Sequence, residues 1–178
     1  MSPGVSIPTD LAVNNEPVNP VKLSMPRTYT LIREQLIPRL LEDVFPFFAD
    51  AGNLQTITPP WLHFRILTPL PLEMKTGAIL EYRLRLYGLP IYWRTRIEDF
   101  DPPRQFVDQQ LRGPYRLWHH THEFESRPDG TFMRDTVRYE LPFGPLGTLT
   151  HSLTVKRMLE RIFDFRYATI ERHFAVKH

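Results

Sequence analysis

The sequence predicts an α+β fold in which one curved antiparallel sheet wraps around a long C-terminal helix. From about Leu146 to Phe174, apolar residues recur at steps of three and four, which is typical of an amphipathic helix. Upstream, short segments of alternating apolar and polar residues follow one another as hairpins, which indicates antiparallel strands. Because a long apolar helix face needs a large apolar partner, a sheet curved around the helix is the simplest arrangement.

Composition excludes several classes of protein. The chain has 178 residues, which suits one domain, and its net charge is only +2, from 22 basic and 20 acidic residues mixed along the sequence. Without a concentrated basic stripe, we expect no nucleic-acid binding. The absence of cysteine excludes disulfides, thiolate metal sites and cysteine nucleophiles. No apolar run approaches the roughly 20 residues of a membrane span, and the N-terminus does not resemble a signal peptide. We therefore expect a cytoplasmic protein.

The N-terminal segment differs from the rest of the chain. Residues 1–26 contain five prolines among polar residues and have no lasting periodicity. Such a composition predicts a disordered proline-rich leader. We expect a single domain over residues 27–178.

The domain begins with a strand and two short helices. Residues 27–37 are rich in β-branched and aromatic side chains, which predicts the first strand. The following segment has helical spacing, but Pro46 predicts that its helix is short or bent. A second short helix, over residues 53–57, should end before Pro59 and Pro60. The second strand is predicted over residues 61–68.

The next two strands, residues 78–86 and 91–100, form the clearest predicted hairpin. Apolar side chains occupy even positions in the first strand and odd positions in the second. A four-residue loop, 87–90, brings both sets to one inner face. This register pairs Leu84 with Trp93, and Tyr82 with Thr95.

Two further hairpins are predicted from strands at residues 105–111, 117–125 and 132–141. In the last hairpin, Pro128 presets a turn and Gly130 can adopt a positive φ angle. A four-residue loop over 127–130 then places His122 opposite Asp135.

Polar residues share the inner face of these strands with aromatic ones. His120 and His122 are in phase with Trp118, whereas His119 falls on the outer face. If the preceding hairpin pairs even positions with even positions, Asp108 and Gln110 come beside the two inner histidines. Polar groups on an apolar wall must be bonded to one another, to water or to a ligand.

This polar cluster has several interpretations. It is a hydrogen-bonded network that stabilises the strand register, a polar patch that orients a ligand, or a general acid or base in which Asp135 orients His122. A metal site at His120 and His122 needs a third ligand, such as His63 or Asp108, that the sequence does not assure. We therefore predict neither a metal nor another cofactor.

One cationic side chain lies on the apolar stripe of the C-terminal helix. Arg166 falls between Phe163 and Ile170. Its guanidinium group either reaches into a cavity and binds an anion, or lies in water while the aliphatic part of the side chain packs along the core. No nucleophile elbow, phosphate loop or dinucleotide glycine pattern is present, which argues against nucleotide-dependent chemistry.

Three stretches carry a family resemblance: FFADAGNLQTITPPW, FVDQQLRGPYRLWHHTHEF and MRDTVRYELPFGPLG. With this order of elements, residues 27–175 resemble the SRPBCC superfamily of START-related helix-grip proteins, which includes birch-pollen-allergen-like proteins, polyketide cyclases and lipid-transfer domains. The three stretches look like bacterial ligand-binding domains of that superfamily described as cyclase-like or of unknown function. The resemblance implies a seven-stranded sheet that grips the helix, with a hydrophobic cavity between them. It implies no reaction, because no catalytic motif transfers.

From these observations we predict a domain that binds a small or medium hydrophobic molecule, such as a lipid, an isoprenoid or a polyketide-like compound. The predicted apolar wall comprises Tyr82, Leu84, Trp93, Trp118, Phe124, Tyr139 and Phe163, and the predicted polar groups are Asp108, Gln110, His120, His122 and Asp135. One alternative is a cyclase- or dehydratase-type enzyme that uses His122 with Asp135. Another is an accessory module that binds a protein partner through the loop 142–145 or the short helices. The sequence does not decide whether the protein is an enzyme.

Overall fold

The computed structural model describes residues 27–142 and 154–175. In this part of the chain the strands are β1 Thr28–Ile37, β2 Arg65–Ile66, β3 Ile79–Leu86, β4 Leu89–Asp101, β5 Gln105–Arg112, β6 Leu117–Arg127 and β7 Gly130–Glu140. The helices are α1 Leu41–Ala49, 3-10 helices at Ala51–Gln55 and Pro60–Leu62, and α2 Lys156–Phe174. The predicted leader, residues 1–26, lies outside the described residues.

The sheet is antiparallel throughout and has the order β1-β7-β6-β5-β4-β3-β2. The short helices lie between β1 and β2 along the chain, and α2 follows the last strand. This arrangement confirms the predicted α+β fold with seven strands and a C-terminal helix. Because β6 pairs with both β5 and β7, this strand, which carries His120 and His122, lies inside the sheet.

The second strand is much shorter than predicted. Only Arg65 and Ile66 pair with β3, whereas the sequence favoured a strand over residues 61–68. Trp61 instead belongs to a 3-10 helix that begins at Pro60, where the fixed φ of proline suits a first helical position. His63 ends that helix in the left-handed conformation, with φ 44°, so extended backbone resumes only beyond it.

The predicted register of the β3–β4 hairpin is wrong by two residues. Leu86 pairs with Leu89, so the loop contains only Tyr87 and Gly88, and Tyr82 lies opposite Trp93. Both loop residues have positive φ angles, 51° and 80°, as a tight hairpin turn requires. Since the shift is an even number of residues, the predicted inner-face side chains keep their face.

The registers around β6 agree with the predictions. His122 lies opposite Asp135 on β7, and Asp108 on β5 lies opposite His120. Gly130, which follows the turn, has the expected positive φ, at 140°. These two pairings bring the polar residues of three neighbouring strands onto one face.

Helix α2 packs its apolar stripe against the sheet. Leu159, Phe163, Ile170 and Phe174 are buried at helical spacing along its 19 residues, or about 28 Å. The predicted start near Leu146 lies outside the described residues. Within the part of the chain that the structure describes, no helix is both long enough and apolar enough to cross a membrane.

Candidate functional site

A largely apolar cavity lies between the sheet, the short helices and α2. Its volume is about 170 Å³. That is slightly larger than the ~150 Å³ of an engineered apolar protein cavity that binds benzene. Residues that line it include Phe48, Leu54, Leu80, Tyr82, Leu84, Trp93, Tyr115, Trp118, Met158, Ile162 and Phe163. The cavity therefore has the size and the surface to hold a small apolar molecule.

Most of the predicted wall residues line this cavity, but two do not. Tyr82, Leu84, Trp93, Trp118 and Phe163 are at its surface. Phe124 instead packs against Phe45 and Phe48 of α1. Tyr139 packs against Tyr29 and Tyr115. Both belong to the solid core, because α1 and neighbouring tyrosines fill the space over their part of the inner face.

Gln110 was predicted to bind ligand, but its side chain stabilises a loop. The Gln110 amide donates a hydrogen bond to the carbonyl oxygen of Tyr115 at 2.7 Å, and its oxygen accepts one from the Tyr115 N–H at 3.4 Å. These contacts close the loop between β5 and β6. Gln110 is not among the cavity-lining residues.

Sequence reasoning placed Tyr115 in a loop and missed its part in the cavity. Its side chain is buried, and it contacts the rings of Trp93 and Trp118. A loop residue has no strand or helix periodicity to reveal the direction of its side chain. Its aromatic character beside Gly113 and Pro114 was the only available signal.

The four predicted polar residues Asp108, His120, His122 and Asp135 do come together, and we call them the His-Asp cluster. The two imidazole rings are 3.8 Å apart between centroids. Nε2 of His120 lies 2.9 Å from Oδ1 of Asp135, and Nε2 of His122 lies 3.1 Å from Oδ2 of Asp108. Nδ1 of His120 lies 3.5 Å from the same Asp108 oxygen. Each carboxylate therefore contacts both histidines.

One contact of the His-Asp cluster is short without being a hydrogen bond. Nδ1 of His122 lies 2.7 Å from Oδ1 of Asp135, but the direction does not suit a hydrogen bond. His122 and Asp135 are only 6% and 5% exposed, so water has little access to them. Asp108, His120 and His122 line the cavity, whereas Asp135 does not. The cluster thus has a side toward the cavity and a side toward β7.

The carboxylates of the cluster are held in their ionised form. Burial by itself would raise the pKa of Asp135, but the charges of His122 and His120 and the hydrogen bond with His120 outweigh it, so this pKa lies well below its usual range. For Asp108, too, burial is outweighed, mainly by the hydrogen bond from His122, and the pKa is lowered. Both carboxylates therefore remain negatively charged near neutral pH.

The pKa values of the two histidines shift in opposite directions. Burial and the neighbouring charge of His122 lower the pKa of His120. For His122, burial is outweighed by Asp135 and by the hydrogen bond to Asp108, so its pKa is raised. When no other cation is bound, a proton in the cluster therefore resides mainly on His122.

Arg166 lines the cavity from α2. Its guanidinium carbon lies 5.2 Å from the centre of the Phe163 ring. Its Nε atom is buried and has no hydrogen-bond partner within residues 27–142 and 154–175. Arg166 also lines the cavity near the His-Asp cluster and lowers the pKa of Asp108. A positive charge is therefore present at the cavity wall near Asp108.

The other histidines that the sequence raised lie outside the site. His63 is exposed and does not supply the third metal ligand considered from the sequence. His119 points to the outer face, where Nε2 lies 3.2 Å from a carboxylate oxygen of Glu98. Of the two possible third ligands, the structure brings Asp108 to the histidine pair.

Comparison with solved structures identifies the fold. An aromatase/cyclase, Zhui, from Streptomyces sp. R1128 matches with a TM-score of 0.65 and 16% identity over 83% of this chain and 93% of that one. The protein TTHA0849 from Thermus thermophilus matches with a TM-score of 0.62 and 17% identity, over 82% and 97% of the two chains. Major latex-like protein 151 from Panax ginseng matches with a TM-score of 0.59 and 14% identity, over 84% and 99%.

No protein-family model and no curated protein matches the chain by sequence. At identities of this level the structural likeness establishes the fold and not the activity. The seven-stranded antiparallel sheet, the short helices after β1 and the C-terminal helix are the elements of a helix-grip fold. The chain therefore has the helix-grip fold.

Proposed function

We propose that this protein binds a small hydrophobic molecule that carries at least one polar group, in the cavity between the sheet and α2. One observation carries the proposal: a largely apolar cavity whose wall holds the adjacent polar side chains of Asp108, His120 and His122, with Arg166 near Asp108. Ligand sites usually combine apolar walls with a few placed polar groups. The helix-grip fold, shared with an aromatase/cyclase, supports the same interpretation.

The dimensions narrow the class of ligand. A cavity of about 170 Å³ suits a molecule with one or two rings or a short isoprenoid better than a long-chain lipid. The aromatic rings of Trp93, Trp118 and Tyr115 would pack against such a molecule. The polar side chains of the cavity wall, Asp108, His120, His122 and Arg166, would orient the molecule by hydrogen bonds to a hydroxyl or carbonyl group.

A cavity-filling substitution tests this proposal. Ile162 lines the cavity from α2, so Ile162→Trp should occupy part of its volume. The probe is 2-naphthol, a two-ring fluorescent dye that carries one hydroxyl group. We expect its fluorescence to change on binding to the wild-type protein, and its dissociation constant to be at least tenfold higher with Ile162→Trp, about 1.4 kcal/mol.

Tyr167→Trp is the matched control, because Tyr167 lies on the same helix and is 41% exposed. It should bind the dye as the wild type does. Equal binding by all three proteins would place the dye elsewhere, and no binding by the wild type would contradict the proposal. Native mass spectra before and after organic extraction would identify a ligand that copurifies.

A second candidate is a cyclase- or dehydratase-type enzyme with His122 as general acid or base and Asp135 as its orienting partner. The observation that favours it is the position of His122 at the cavity wall, 2.7 Å from Asp135. Turnover of a bound ligand should then fall by a factor of about 100 or more in His122→Gln. Unchanged turnover in a folded His122→Gln protein would contradict this role.

A third role, as an accessory module that binds a protein partner, stays a prediction from the sequence. Of the loop predicted to form its surface, residues 143–145 lie outside the described residues. The cytoplasmic location and the lack of nucleic-acid binding likewise stay predictions from composition.

A further inference from the structure

We propose that Asp108, His120 and His122 form a binding site for a divalent transition-metal ion at the cavity wall, with Asp135 as the residue that positions both imidazoles. This proposal goes beyond ligand binding and reverses the expectation from the sequence that no metal is bound. It rests on the arrangement of the His-Asp cluster and does not require the identity of the hydrophobic ligand.

The donor atoms already converge. Nδ1 of His120 and Nε2 of His122 lie 3.5 and 3.1 Å from the same oxygen of Asp108. Donor atoms of the three residues lie within 4.8 Å of one another. Metal ions such as Zn²⁺ bind imidazole nitrogen and carboxylate oxygen at about 2.0–2.2 Å, so donors around one ion lie about 3–3.5 Å apart. Both nitrogen–oxygen distances already lie in this range.

The remaining nitrogen of each histidine faces Asp135. Nε2 of His120 and Nδ1 of His122 lie 2.9 and 2.7 Å from one Asp135 oxygen. Histidines that ligate metals usually contact a carboxylate or carbonyl through their other nitrogen, which orients the ring. One nitrogen of each ring thus faces the proposed ion, and the other contacts Asp135. Of the two carboxylates, only that of Asp108 lines the cavity.

The hydrogen-bonded network alone does not account for all the contacts in the cluster. A network that only stabilised the register should satisfy each buried polar atom. Nδ1 of His122 is buried and has no aligned hydrogen bond, although the Asp135 oxygen is close. An ion on the cavity side would replace the proton between His122 and Asp108 and leave the Nδ1 proton to Asp135.

Charge and donor type agree with this assignment. A buried carboxylate, Asp135, and a partly buried one, Asp108, need nearby positive charge, which a divalent ion supplies while both imidazoles stay neutral. Two imidazole nitrogens and one carboxylate oxygen suit Zn²⁺, Fe²⁺ or Co²⁺, whereas Mg²⁺ and Ca²⁺ prefer oxygen donors. Three protein ligands leave a coordination position open toward the cavity, where a polar group of the bound molecule or a water would reach the ion.

The test is a titration of the tag-free, chelator-treated protein with Zn²⁺ by calorimetry and with Co²⁺ by visible absorption. We expect one ion per chain and weaker binding by at least tenfold in Asp108→Asn, which replaces the anionic ligand by a neutral, weaker one with little change in shape. Asp135→Asn should weaken binding by about 10–100-fold, since it alters the group behind both histidines. Circular dichroism would confirm that each variant is folded.

His119→Ala is the matched control, because His119 lies on the same strand but points to the outer face. It should bind the ion as the wild type does. The absence of binding by the wild type up to millimolar Zn²⁺ would overturn the proposal. Equal affinity in Asp108→Asn and wild type, or loss of binding in His119→Ala alone, would also overturn it. Binding of the dye 2-naphthol to the chelator-treated protein does not depend on these outcomes, so failure of the metal site and failure of the ligand site are distinguishable.

Discussion

Replacement of Asp135 by alanine is expected to lower the free energy of unfolding by about 3–5 kcal/mol, as removal of one partner from a buried ion pair typically does. Asp135 is 5% exposed, and one of its oxygens lies within 2.9 Å of nitrogens from both His120 and His122. Without this carboxylate, two buried imidazoles lose their common acceptor, and any proton on His122 lacks one of its two compensating charges.

Urea denaturation at pH 7, in the presence of a chelator, measures this loss without a contribution from bound metal. Arg138→Ala is the control, since Arg138 is an exposed residue on the same strand. Its effect should stay within about 0.5 kcal/mol. A loss below about 1 kcal/mol for Asp135→Ala would show that the His-Asp cluster contributes little to stability, in contrast to the value expected for a buried pair.

Replacement of Gly130 by alanine is expected to lower the free energy of unfolding by about 3 kcal/mol, from left-handed backbone strain and a collision with main chain. Gly130 has φ 140°, and an added Cβ atom would lie 2.1 Å from the carbonyl oxygen of Ile37. Neither the turn nor the end of β1 can move without disturbing the pairing of Ile37 with Thr131. The same urea denaturation measures the effect.

Gly88→Ala separates the two causes. Gly88 also has a positive φ, 80°, but a Cβ atom there would meet nothing within 4 Å. Only the cost of the left-handed backbone conformation remains, so the expected loss in the free energy of unfolding is about 1 kcal/mol. Equal losses in the two variants would show that the contact with Ile37 is unimportant. Because Gly130 begins the strand that carries Asp135, weaker metal binding in Gly130→Ala would further link the turn to the site.

Much of the site could be predicted from the sequence, because strands alternate strictly. Once the turn at Pro128 and Asp129 is recognised, a period of two places His122 opposite Asp135, as the structure confirms. The same argument placed Asp108 beside His120. The β3–β4 loop was mispredicted because Tyr87 adopts φ 51°, a conformation that sequence patterns assign to glycine or asparagine rather than to tyrosine.

The extent of the cavity could not be predicted in this way. Phe124 and Tyr139 are aromatic residues on the same face of the sheet as the lining residue Trp118, yet they lie in the packed core. Gln110 has the phase of Asp108, yet its amide binds the backbone of Tyr115. Phase determines the face on which a side chain lies, but not which element covers that face at each point.

The sequence by itself determined the element order, the inner and outer faces of the strands and the composition of the His-Asp cluster, since these depend on local periodicity and turn chemistry. Only the tertiary structure decided where α1 and α2 fill the inner face and where they leave space, and that Arg166 reaches this space. It also decided the distances on which the metal proposal rests. The physical reason is that a cavity and the convergence of donor atoms on one point result from packing between segments far apart in the chain, which no local pattern encodes.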